Sequence, residues 1–72
     1  MKNVKKLTAF GRKVKYRLID MGHTQTWLQK QVGEKTGLFV DSGYMYKILT
    51  GQRNAPKIVD AIREILDIED VN

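Results

Sequence analysis

Along the first third of the chain Val4, Leu7, Gly11, Val14, Leu18 and Met21 recur at steps of three and four, with Phe10 and Ile19 beside the stripe. A strand would alternate at every second residue, whereas this period puts the apolar positions on one side of a helix. The spacing predicts a first helix over residues 4–21, stopped by Gly22 in a left-handed conformation. Thr24 is suited to cap a second helix over residues 24–33, with Leu28 and Val32 inward at i and i+4 and Trp27 on the flank. That helix ends at Gly33, or else at Gly37 after an extension through Glu34, Lys35 and Thr36. Leu38, Phe39 and Val40 form an apolar connector. Asp41 is a strong cap for a third helix over 41–50, whose inward residues are Met45, Ile48 and Leu49 and whose stop is Gly51. Residues 52–55 read as a turn. Pro56 opens a fourth helix over 56–66, where proline is tolerated in the first turn. Its buried side is Ile58, Val59, Ile62, Ile65 and Leu66. No segment has a strand pattern, so an all-α fold with four main helices is expected.

Length and composition narrow the classes. A chain of 72 residues makes one domain, 1–72, and its 42% hydrophobic content supports a small core. Stability of roughly a few kcal/mol is expected. The absence of cysteine excludes a disulfide framework and thiol chemistry and fits a reducing cytoplasm. No apolar run approaches the roughly 20 residues of a membrane helix, and Lys2, Lys5 and Lys6 have no apolar signal core behind them.

Charge changes the picture more. Residues 1–59 carry twelve Lys/Arg against three Asp/Glu, or +9, while residues 60–72 carry one Arg against five acids, or −4, which together give the net +5. A basic body with an acidic end suits a polyanionic partner on one face. Residues 1–9 form either a basic arm or an extension of the first helix, and 67–72 an acidic tail. Catalytic chemistry finds no support. His23 has no second His and no Cys with which to hold a metal. Ser42, His23 and Asp41 lack a spacing that would make a triad, and no phosphate-binding glycine loop or carboxylate pair stands out. The expectation is a non-enzyme with no catalytic residue, no metal, no cofactor and no small-molecule ligand.

The run Gly22, His23, Thr24, Gln25, Thr26, Trp27, Leu28 is a turn followed by a capped helix, and it is answered by a short helix from Tyr44 to the glycine stop at Gly51. Two short helices in that order, in a small basic chain, point to a helix-turn-helix that reads DNA. Phe10, Gly11, Val14, Gly22, Thr24, Gln25, Leu28, Met45, Ile48, Gly51 and Pro56 fall at the spacing of the Xre family. Over about residues 10–68 the chain resembles that family, the Cro and lambda-repressor type. The resemblance implies a lambda-repressor-like fold and a transcriptional regulator of the compact phage or mobile-element kind, acting in the bacterial cytoplasm. The chain departs from the family pattern in three places. The connector over residues 33–41 is longer than the usual tight turn. Leu18 and Leu49 stand where many members pair an Arg with a Glu, and they are expected to meet in the core as an apolar replacement. Little chain follows Leu66, so the family's fifth helix is expected to be vestigial.

On this reading the third helix enters the major groove. With Met45, Ile48 and Leu49 inward, Ser42, Gly43, Tyr46, Lys47 and Thr50 face the DNA. Lys47 can reach guanine or phosphate, Ser42 can bond any base edge, and Tyr46 can meet a thymine methyl or a phosphate. Gly43 allows close approach. The family places a glutamine at Gln25 that touches phosphate and braces the recognition helix, and Thr24 and Gln25 start a helix whose free N–H groups suit an anion. Arg53 and Asn54 precede the fourth helix in a similar phosphate-gripping position. Trp27 is expected at the core edge, and Tyr44 to pack at the start of its helix. The partner expected is double-stranded DNA, bound as a possible homodimer on a two-fold site. Two alternatives keep the same fold: an architectural DNA-bending factor such as an excisionase, and an antirepressor that binds protein instead.

Overall fold

The computed structural model describes residues 6–68. It contains α1 (Ala9–Met21), α2 (Gln25–Thr36), α3 (Ser42–Leu49) and α4 (Pro56–Leu66), with no strand among the described residues. All four helices contribute to one buried cluster. Val14 and Leu18 come from α1, Leu28 and Val32 from α2, Met45, Ile48 and Leu49 from α3, and Ile58, Ala61, Ile62 and Leu66 from α4. Val40 adds to it from the connector before α3. The most extensive helix packing joins α2 to α4, and α1 lies across both α3 and α4.

The helix starts at Thr24 and Asp41 follow the expected capping chemistry. The Thr24 hydroxyl accepts the Trp27 N–H at 3.1 Å and the Asp41 carboxylate accepts the Tyr44 N–H at 2.8 Å. Gly22 ends α1 with φ of 74°, as its position suggested.

The start of α1 differs from expectation. The helix begins at Ala9 rather than at residue 4, because Thr8 is held elsewhere. Its hydroxyl accepts the Gly11 N–H at 3.0 Å, which caps α1. The same hydroxyl donates to the Leu49 carbonyl at 3.1 Å, and the Thr8 N–H donates to that carbonyl at 3.0 Å. The segment before Ala9 is thus tied to the end of α3, and residues 6–8 are not a helix extension. Residues 1–5, including Val4 and most of the expected basic arm, lie outside the described residues.

The second difference concerns α2, which runs through Gly33 to Thr36 and not merely to residue 33. Gly33 is a point of close approach: a Cβ there would stand 3.3 Å from the Leu38 carbonyl oxygen. The real stop is Gly37, left-handed at φ 76°, whose N–H closes on the Gly33 carbonyl at 2.8 Å. The connector is therefore residues 37–41, much shorter than the 33–41 expected.

At the far end, α4 stops at Leu66. Asp67 takes a left-handed φ of 55°, and the Ile68 N–H returns to the Arg63 carbonyl at 2.9 Å. The Arg17 guanidinium also donates to the Leu66 carbonyl at 2.7 Å, so α1 caps α4 from the side. No fifth helix occurs among the described residues, and the acidic tail beyond residue 68 lies outside them. Within α4, Ala61 is buried although the pattern did not single it out, while Val59 and Ile65 are only half-buried.

Leu18 and Leu49 are both buried in the common cluster. Truncating either to Ala is expected to cost about 3 kcal/mol, the transfer loss plus the cavity left behind. Urea unfolding of the two variants checks this, and a loss below about 1 kcal/mol would mean that the neighbours collapse into the space.

Candidate nucleic-acid interface

The rotation of α3 is set by its three buried residues. With Met45, Ile48 and Leu49 in the core, Ser42, Gly43, Tyr46 and Lys47 are exposed, and the Tyr46 side is 43% open. No carboxylate occurs between residues 42 and 50. Among the described residues Lys47 makes no ion pair, and such pairs join Lys35 to Glu64 and Arg63 to Asp60.

Thr50 lies at the end of α3. It is half-buried, and its hydroxyl donates to the Tyr46 carbonyl at 2.8 Å while accepting from Gln52 Nε2 at 2.8 Å. The hydroxyl proton and one lone pair thus help close the end of α3. Beyond it the Gln52 and Arg53 N–H groups return to the Lys47 carbonyl, at 2.8 and 3.2 Å. That turn brings the Arg53 guanidinium over the ring of Tyr44, 5.4 Å from its centroid. A cation over an aromatic face at that distance gains about 0.5–1 kcal/mol at an exposed site. Arg53 is thereby held against Tyr44, the residue that follows Ser42 and Gly43 in the first turn of α3. Nothing in the sequence pattern signalled this pairing, because it depends on how the turn folds back. Tyr44 itself packs on the core edge, as expected, and Asn54 is exposed.

At the start of α2 Gln25 is half-buried and bonded through both amide atoms, with one Nε2 hydrogen left over. Its Oε1 accepts from Lys15 Nζ at 2.6 Å, and its Nε2 donates to Gln29 Oε1 at 3.1 Å. Gln29 Nε2 in turn reaches the Val40 carbonyl at 3.5 Å. A polar chain therefore runs from α1 through the first turns of α2 to the residue before the α3 cap. Gln29 carries no signal of its own in the sequence. The Gln25–Gln29 spacing of i, i+4 was the available signal, whereas the Lys15 contact is set by helix packing. The turn into α2 is closed by His23, whose ring stacks on Trp27 at 3.7 Å and 5°. Trp27 is half-buried against the core, and His23 is thus occupied in local packing.

The structure thus gathers Ser42, Gly43, Tyr46, Lys47 and Arg53 around α3 and ties Gln25 to its entry. Thr24 remains exposed at the start of α2. Among the described residues no group of three or more His, Cys, Asp or Glu is placed to hold a metal ion, and no helix is long and apolar enough to cross a membrane. Comparison with protein-family models, with curated proteins and with solved structures finds no match to this chain.

Proposed function

We propose that this chain is a sequence-specific double-stranded DNA-binding regulator of transcription, built on a lambda-repressor-like helix-turn-helix with α3 as its recognition helix. The observation that carries the reading is the two-sided character of α3. One side is wholly apolar and buried, and the other presents Ser42, Gly43, Tyr46 and Lys47 without a carboxylate. The one carboxylate at the start of α3, Asp41, is bonded to the Tyr44 N–H, and the excess of cations before residue 60 draws a polyanion in. In the major groove Lys47 donates to guanine O6 or N7, Ser42 bonds a base edge, and Tyr46 lies against a thymine methyl or a phosphate. Gly43 lets the helix approach the bases closely. Arg53, Asn54 and the start of α2 at Thr24 and Gln25 grip phosphates on either side. A homodimer on a two-fold site is the assembly such a half-site reader uses. The site of action that follows is the bacterial cytoplasm.

The roles separate in one experiment, a binding-site selection on Lys47→Ala, Gln25→Ala and Arg53→Ala. Lys47→Ala should relax discrimination at one or two base pairs by about 1–3 kcal/mol against the preferred base. Gln25→Ala and Arg53→Ala should weaken binding to all sequences nearly alike, since phosphates carry no sequence. A preferred site unchanged by Lys47→Ala but altered by Arg53→Ala would assign the groove to another element.

A further inference from the structure

The connector between α2 and α3 carries two consecutive exposed apolar residues, Leu38 at 46% and Phe39 at 86% exposure. A single exposed apolar residue needs no explanation. This pair differs in how it is held. The Leu38 N–H donates to the Thr36 hydroxyl at 3.1 Å, and that hydroxyl donates to the Val32 carbonyl at 2.8 Å. On the other side Val40 is buried in the core, and its carbonyl receives Gln29 at 3.5 Å. The backbone is anchored both before and after Phe39, so the ring is carried outward by a braced segment. Phe39 stands two residues before the Asp41 cap of α3. The hollow beside it is lined by Thr26 and Lys30 of α2 together with Leu38, and no carboxylate lines it.

We infer that Phe39 is a DNA contact, its ring laid against the C5-methyl group of a thymine at the edge of the bases read by α3, with Lys30 and Thr26 on the adjoining phosphate. This rests on the DNA-binding reading above and extends it to a specificity residue outside α3. Charge decides for DNA over a protein partner here. An apolar ring bordered by one lysine and a hydroxyl, with no acid, complements a methyl group flanked by a phosphate. The thymine methyl is the apolar feature of the major groove, and a phenyl ring is among the side chains that read it.

The test replaces thymines of the selected site by deoxyuridine one at a time, which removes the methyl and leaves every hydrogen-bonding group. Wild-type protein should lose about threefold or more in affinity at one thymine flanking the α3 bases. Phe39→Ala should bind the thymine and uracil duplexes equally, with an unchanged melting midpoint. Lys30→Ala should weaken both duplexes alike and reduce the salt slope by about one unit. If wild type binds its site but is indifferent to every deoxyuridine, or if Phe39→Ala discriminates as wild type does, the inference is wrong while the DNA-binding reading stands. A selected site without thymine at that edge has the same consequence. If Phe39→Ala converts a dimer to a monomer in sedimentation, the ring serves a second copy and the inference is overturned. Failure of wild type to bind any duplex overturns both.

Discussion

Gly11→Ala is expected to remove most of the stability of this domain, although alanine is the better helix former. A Cβ on Gly11 would fall inside the contact distance of the Leu49 carbonyl oxygen, and a Leu7 methyl would lie 3.2 Å away. The nearest obstacle is backbone, so no rotamer change relieves it. Moving that carbonyl also strains the two bonds it receives from Thr8, which fasten the start of α1 to the end of α3. Overpacking costs about 3 kcal/mol, and two weakened hydrogen bonds add about 1 kcal/mol each. The gain in helix propensity returns only about 1 kcal/mol. The net loss of about 4 kcal/mol corresponds to a fall in Tm of about 20 °C for a chain of this size. Gly33→Ala provides the contrast. It too lies within a helix, but its nearest obstacle is the Leu38 carbonyl at 3.3 Å, so stability should stay within about 1 kcal/mol of wild type. Thermal melts of the two variants decide it. Equal behaviour would contradict the close α1–α3 contact.

These two glycines also show where sequence reading runs out. The three-four spacing of Val14, Leu18, Leu28, Val32, Met45, Ile48, Ile58 and Ile62 is local information, and all four helices follow from it. Gly33 and Gly37 look alike locally. The choice between them is made by the approach of the Leu38 carbonyl and the packing of α2 on α4. Likewise, Leu7 continues the period of α1, yet the helix starts after Thr8 because that residue bonds a carbonyl 41 positions away. The exposed side of α3 was legible for the same reason as its buried side, since one fixes the other. The bond between Thr50 and Gln52 was not legible, because Gln52 reaches it only after the chain turns at Gly51. The apolar triplet of residues 38–40 gave no sign of which member faces inward. Val40 does, and Leu38 and Phe39 are left outside.

Duplex DNA binding is expected to depend steeply on salt. Lys47, Arg53 and the cations of α1 and α2 would neutralise several phosphates, and each releases condensed counterions. For a bound dimer the slope of log K against log salt should be about −4 to −8, so affinity falls by about 10²- to 10⁵-fold between 50 and 200 mM. The α3 face contributes to that slope through Lys47, which is exposed and makes no ion pair among the described residues. The most direct measurement is a fluorescence-anisotropy titration of the protein against its selected duplex across that salt range. The account predicts tight binding at about 50 mM salt and a linear loss with a slope in the stated range. Binding that is indifferent to salt, or no binding at about 50 mM to any duplex tested, would contradict it and turn attention to a protein partner for the same surface.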